Sequence, residues 1–242
     1  MSLLQIGRQE DVMDLGCGTG HIAAEISRIT SGQVVGIDPS PEMIGEARSK
    51  YSSDRISFEV GDAENLAADQ DFDVIFCNSA LQWFQAPARA LAASKRALRP
   101  RGRMGVQAPA RHDYCPNFLK GIEDVARHPR TSAVFSRFRS PWFFCDTADA
   151  YAEIFRETGF TVPFARIETT SGRYSSEQVL NVFESGAAAG YLNEACYEGS
   201  LPEGYAESFR RILADSFRAQ AGSDGLTELR FYRIYLIAVT PD

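Results

Sequence analysis

The chain has 242 residues, enough to bury one sizeable core, and its apolar (44%) and charged (24%) fractions are those of a globular protein. Its net charge of −7 argues against a nucleic-acid surface. No uninterrupted apolar run approaches the ~20 residues of a membrane span. The opening "MSLLQIGRQED" is too short and too acidic for a secretory leader. Five scattered cysteines without a C-x-x-C pair point to free thiols in a cytoplasmic protein, not to disulfides or a zinc site.

In chain order, Val12–Leu15 is a short buried strand followed by Gly16, Gly18 and Gly20. Residues 20–29 carry apolar side chains at Ile22, Ala23, Ile26 and Ile29, a helical spacing. Residues 33–38 read as a second strand. The next helix opens with Ser40 as N-cap, Pro41 at the first helical position and Glu42 in the first turn. Residues 56–62 alternate like a third strand. Phe72–Asn78 is a fourth, apolar enough to lie inside a parallel sheet. The stretch "APARALAASKRALRP" predicts a helix stopped by Pro100, and "RGRMGVQAP" turns through Gly102 into a fifth strand.

This alternation over residues 11–109 implies a doubly wound, mostly parallel α/β sheet with helices on both faces. Ligands in such sheets sit at the carboxyl ends of the strands. There the sequence places Asp14 to Gly20, Asp38, Asp62 and Asn78.

The rhythm breaks after Pro109. Residues 111–146 are rich in Arg, Pro and aromatics. "TADAYAEIFRETGF" predicts a helix stopped by Gly159, "FTVPFARIETT" a strand, residues 175–218 a mainly helical stretch, and residues 229–240 a closing strand. With no repeat or linker visible, we expect one domain over residues 1–242. Its cofactor-binding core is 11–109, and its helical cap insertions are 111–146 and 171–225.

Glycines are needed where backbone turns tightly or lies against a ligand, and the amides opening the next helix favour an anion or acceptor. Gly16, Cys17 and Gly18 fit the start of the dinucleotide fingerprint G-x-G-x-x-G, but the third glycine is Gly20 and position 21 is His21. Asp14 stands two residues before Gly16, where a carboxylate would repel a pyrophosphate and attract a cation. The ligand is therefore expected to be a cation-bearing nucleoside, with an amino group, a sulfonium, or both. Asp38, ending the second strand, suits a ribose diol. Asp62, after the third, suits an adenine amino group. A turn or helix cap is the plain alternative for each.

The motifs "VMDLGCGTGHIA", "VVGIDPSPEMIGEAR", "ISFEVGDAENL", "FDVIFCNSALQWF" and "ALRPRGRMGVQAP" together resemble the class I S-adenosylmethionine-dependent methyltransferases, in order and spacing across residues 11–109. "NSALQW" is similar to small-acid methyltransferases of the trans-aconitate and malonyl-carrier-protein types. "YSSEQVLNVFESG" resembles juvenile-hormone-acid methyltransferases. The resemblance implies a Rossmann-like sheet of seven strands with an antiparallel last strand. It also implies S-adenosylmethionine as cofactor and S-adenosylhomocysteine as product.

By position, the resemblance implies that Gly16, Cys17, Gly18 and Gly20 lie at the cofactor, with Asp14 near its amino group and Asp38 on the ribose hydroxyls. Pro39 and Met43 would pack near the adenine, and Asp62 and Ala63 would address its polar edge. Asn78 and Ser79 would lie by the methionine moiety, with Ala80 alongside. Leu81, Gln82 and Trp83 would line the path to a small-molecule substrate. Relatives usually place helical turns before the first strand, and only about ten residues precede it here. Oligomeric state is not encoded in any of these patterns.

Methyl transfer is an in-line displacement that asks for alignment and exclusion of water. A carboxylate nucleophile is ionised at neutral pH and needs no base, whereas an amine, phenol or carbon acid usually does. His112, in "ARHDYCP", is the candidate base, with Asp113 or Tyr114 assisting; an exposed loop histidine is the alternative. Arg127, Arg130, Arg137 and Arg139, interleaved with Phe135, Phe138 and Trp142, form either an arginine fork for a carboxylate or a solvated face. Trp83 and Phe84 are either an aromatic wall or core.

The expected activity is O-methylation of a small carboxylate. N- or C-methylation with His112 assisting, and a non-catalytic cofactor-binding relative, are the alternatives. A nicotinamide-dependent enzyme is opposed by Asp14 and the shifted glycine.

Overall fold

The structure, a computed structural model, describes residues 2–242. Strand β1 (Val12–Leu15) is buried at every position. It pairs in parallel with β2 (Val34–Asp38) on one side and β4 (Phe72–Asn78) on the other. β3 (Ile56–Val60) extends the sheet from β2, and β5 (Leu98–Pro109) extends it from β4, both in parallel. The sheet is completed by β6 (Thr161–Ser175) and β7 (Leu226–Val239) in the order β3-β2-β1-β4-β5-β7-β6. β7 runs antiparallel to β5. The expected seven-stranded sheet with its antiparallel last strand is thus present.

The helices follow in chain order. They are α1 (His21–Ile26), α2 (Pro41–Tyr51), α3 (Pro87–Ala97), α4 (Pro116–Arg127), α5 (Ser132–Phe135), α6 (Ala148–Glu157), α7 (Ser176–Glu184), α8 (Ala188–Tyr191) and α9 (Tyr205–Ala219). No helix among the described residues is long and apolar enough to cross a membrane.

The pleat sorts the central strands into two faces. Met13, Leu15, Ile75 and Cys77 pack with Ala90 and Leu91 of α3 and Tyr151 and Phe155 of α6. Val12, Val34, Val74 and Phe76 pack with Ala23 and Ile26 of α1 and Ile44 and Ala47 of α2. Each fully buried large side chain contributes roughly 1.5–3 kcal/mol, which is why these strands sit at the centre of the sheet. Leu4 plugs the second face; it is 3% exposed and lies where a Cβ on Gly105 would come within 2.5 Å of its Cγ. Arg103 secures this segment, donating to the carbonyls of Leu4 and Gln5 and to the Glu10 carboxylate.

Two helix ends differ from expectation. α1 ends at Ile26, leaving Ile29 43% exposed beyond the helix. α3 stops at Ala97 and not at Pro100, because Leu98 already pairs with Phe72. Pro100 lies inside β5, where the register with β4 shifts, an irregularity that tolerates the missing amide. α4 falls within the expected helical insertion 111–146, where no individual helix had been placed. Pro116 at its first turn and buried Phe118, Ile122 and Val125 are ordinary helix signals, masked by the Arg, Pro and aromatic composition around them.

By packing, the chain divides into two compact units. The first comprises residues up to His112, 143–168 and 233–242; the second comprises 113–142 and 169–232. The sequence had suggested one domain with insertions at 111–146 and 171–225. The second unit has an aromatic core, with Phe118 edge-on to Phe183 at 5.1 Å and Trp142 edge-on to Tyr191 at 4.7 Å. Phe135 and Phe138 stack within it.

Candidate functional site

The glycine loop leaves β1 under tight control. The amides of Gly16 and Cys17 donate to the Ile37 carbonyl at 2.7 and 3.0 Å. Gly16, Gly18 and Gly20 all have positive φ (77°, 52° and 81°). They differ in what surrounds them. A Cβ on Gly16 would lie 2.3 Å from Ala80 Cβ, and one on Gly20 would lie 2.7 Å from the Phe58 ring. A Cβ on Gly18 would meet nothing within 4 Å. The loop is therefore pinned at both ends by the protein itself and open at its middle. Cys17, buried between, has its thiol pushed up to about 12, mainly by burial, and stays protonated.

Asp38 organises this loop. One carboxylate oxygen accepts from Gly18 N–H and the other from Ser40 N–H, both at 2.9 Å. Pro39 beside it is exposed, and Met43 is 41% exposed on α2. Asp62 is exposed and accepts from Glu64 N–H and the Asn65 side-chain amide, bonds that hold its carboxyl below the usual range. Ala63 next to it is buried. Both acids thus cap local turns, while Asp38 also ties β2 to the loop.

Asp14 is the unusual group. It is 1% exposed, shares the face of Val12, and its Oδ2 has no hydrogen-bond partner. Burial first, and the nearby Asp38 charge further, push it up to about 7, against the pull of an Ala23 amide. A carboxyl so placed is completed by a cation. The orphaned oxygen and the open Gly18 together fit a ligand that carries positive charge.

At the end of β4, Asn78 pairs with Gln107 of β5. Ser79 follows with φ of 55°, a left-handed conformation rare outside glycine. Three bonds hold it there. Its N–H donates to the Gln107 carbonyl at 2.7 Å, its carbonyl accepts from Gln82 Nε2 at 2.7 Å, and its Oγ accepts from Arg233 Nη2 at 2.7 Å. Gln82 is buried with its Oε1 unpartnered, and Arg233 Nε is likewise buried without an acceptor. Trp83 is half-buried and Phe84 belongs to the core.

Sequence reading missed Arg233. Its signal is a charged residue inside the otherwise apolar and aromatic strand "LRFYRIYLIAVT", easily taken for a solvent-facing position.

His112 stands exposed, its Nδ1 2.9 Å from Asp146 Oδ1, and its amide bonds the same oxygen. Its acidic partner in this geometry is Asp146, while Tyr114 is a buried phenol of the second unit, pushed up by burial. Of the two readings of the arginines, the solvated face is the one their partners support. Arg127 pairs with Glu123, Arg139 with Glu198, and Arg137 donates to the carbonyls of Glu198 and Ser200, while Arg130 is exposed. Phe135, Phe138 and Trp142 are half-buried in the aromatic cluster of the second unit.

Residues 12–102 match the family model described as a methyltransferase domain. A trans-aconitate 2-methyltransferase of Deinococcus radiodurans is 38% identical over 109 residues, spanning 45% of this chain and 41% of that protein. One of Shigella flexneri serotype 5b is 27% identical over 231 residues, spanning 95% of this chain and 86% of that protein. Among solved structures, a putative methyltransferase from Bacillus halodurans C-125 aligns over 100% of this chain and 97% of its own, with a TM-score of 0.64 at 17% identity.

Proposed function

We propose that the chain is a class I S-adenosylmethionine-dependent methyltransferase that methylates a carboxylate oxygen of a small organic acid. The observation that carries this reading is the likeness to trans-aconitate 2-methyltransferases, which runs through 95% of the chain and so includes the segments outside the cofactor domain. Five unpaired cysteines support a cytoplasmic setting.

S-adenosylmethionine, when bound, supplies an electrophilic methyl group on a sulfonium and departs as S-adenosylhomocysteine. Asp14 balances positive charge at the cofactor's amino end, where its Oδ2 lacks any other partner. The open Gly18 lets backbone approach the ligand, with Gly16, Cys17 and Gly20 shaping the loop around it. Asp38, with one amide on each oxygen, keeps lone pairs for two ribose hydroxyls. Pro39 and Met43 offer exposed apolar surface to the base, and Asp62 and Ala63 address its polar edge. Asn78 and Ser79 border the methionine end. Gln82 and Trp83 line the path of the acid.

The acid arrives ionised, so its oxygen attacks without a base. The C–O bond would form as the C–S bond of the bound cofactor breaks, with no proton to move. What the chain must do is align the two partners and exclude water.

The test is transfer of labelled methyl from S-adenosylmethionine into a panel of organic acids, followed by mild base. Label released as methanol identifies an ester and supports the reading. Label that survives base overturns it in favour of nitrogen or carbon. Cofactor binding without any product identifies a non-catalytic relative. The His112–Asp146 pair favours one second reading, base-assisted N- or C-methylation. In that case His112→Ala loses turnover and keeps cofactor affinity.

A further inference from the structure

We propose that Arg233 is the anchor for a carboxylate of the acid substrate, gripping a group other than the one that is methylated; the role rests on the acid-methylating reading above.

Arg233 pairs with Pro109, the last residue of β5, and its side chain reaches past that strand end to Ser79 Oγ. Among the described residues no carboxylate pairs with it. Its Nε is buried and unpartnered, and burial pulls its ordinarily very high pKa down. A guanidinium drawn out of water onto one neutral hydroxyl is costly, and arginines are rarely kept so without a partner. Its unused donors form a planar fork that matches a carboxylate with two parallel bonds. The residue is half-buried, so part of that fork remains accessible.

The hydroxyl that steers it is fixed with unusual care. Ser79 is held in a left-handed conformation by bonds at its amide, its carbonyl and its side chain. Such over-determined strain is typical of binding sites. Gln82, which holds the Ser79 carbonyl, has its own Oε1 unused and buried. The position is also right. Ala80, one residue on, is the wall against which Gly16 packs, so Ser79 and Arg233 adjoin the glycine loop on the β4 side. Asp38 and Asp62 lie on the β2 and β3 side. The carboxyl edge thus presents acids to a cationic nucleoside and a cation to an anionic partner.

A carboxylate held by a guanidinium shares its lone pairs and becomes a poorer nucleophile. The gripped carboxylate and the attacking one are therefore different groups, and the anchor selects acids with at least two.

The experiment compares the full-length wild type with Arg233→Gln and Arg233→Lys. S-adenosylhomocysteine binding is measured by calorimetry. Trans-aconitate and succinate are then titrated into the saturated proteins, and KM is measured for trans-aconitate. Arg233→Gln is expected to bind S-adenosylhomocysteine within about twofold of wild type while its acid affinity falls, and its KM rises, roughly 10- to 100-fold, the loss of a charge-assisted pair. Arg233→Lys should recover part of the loss. Ligand-free Arg233→Gln should melt at or above the wild-type temperature, since an unpaired cation has gone, whereas a mere packing role would lower it.

Unchanged acid affinity in Arg233→Gln overturns the proposal. So does lost S-adenosylhomocysteine affinity with KM unchanged, which would assign the arginine to the cofactor's own carboxylate. Should Arg233→Gln not fold, Arg233→Lys decides by the same two readings. A wild type that binds neither acid overturns the anchor. A wild type that binds them and transfers no methyl overturns the acid-methylating reading and retains the anchor.

Discussion

Asp14 holds its proton in the folded chain up to about pH 7, because burial strips its carboxylate of water. Unfolded, the same group titrates near ~3.9. The native state therefore binds more protons between these values. The stability Asp14 contributes is fully present below about pH 4 and is lost as pH rises through its folded value. Thermal unfolding of the ligand-free protein from pH 5 to pH 8 should show this loss, and Asp14→Asn should remove it and be the more stable form at pH 8. Affinity for S-adenosylmethionine should move the other way, rising over the same range as the carboxylate ionises. Asp14→Asn should weaken it about 10- to 100-fold, the worth of a charged hydrogen bond. A variant whose melting temperature tracks wild type at every pH, with cofactor affinity unchanged, would show that Asp14 is a satisfied core acid.

In the glycine loop, three positions that look alike in sequence have different physical roles. Gly18→Ala meets no neighbour and costs only the left-handed backbone, about 1–2 kcal/mol. Gly16→Ala places a methyl 2.3 Å from Ala80 Cβ and must push apart the loop and the end of β4. Urea unfolding should therefore rank Gly16→Ala as clearly the more destabilised. Gly18→Ala should stay folded and lose cofactor affinity, because its added methyl occupies the open side of the loop. Equal destabilisation of the two would contradict this division. The segment before β1 makes a parallel case. Leu4 is 3% exposed against Gly105, so Leu4→Ala should cost about 2–5 kcal/mol by urea unfolding, as for a core leucine. A change under ~0.5 kcal/mol would mean that this segment does not belong to the core.

For the whole molecule, net charge sets the field that a substrate meets. At −7 the chain repels a di- or trianionic acid on approach, over distances up to about the Debye length. Raising ionic strength from low to physiological should therefore raise kcat/KM for such an acid. A fall with added salt would mean that local positive potential at the site outweighs the global charge. The match of residues 12–102 to a methyltransferase domain narrows the chemistry to one transferred group, and the base lability of the labelled product then assigns the accepting atom.

The sequence by itself determined the sheet and drew the candidate cofactor residues from its strand ends. β1, β4 and the N-cap of α2 fall where apolar runs, Ser40 and Pro41 put them, because each depends on neighbours within a few residues. Asp14, the glycines and Asp38 are legible for the same reason: they sit at strand ends within one short stretch of chain. Only the tertiary structure decided which glycine has open space beside it and that one oxygen of Asp14 lacks a partner. It alone separated the surface arginines that have partners from the half-buried one that meets a single hydroxyl. Arg233 and Ser79 are 154 positions apart. Nothing local to either residue encodes their meeting; it follows from the antiparallel placement of β7 against β5, which brings the end of the chain back to the end of β4.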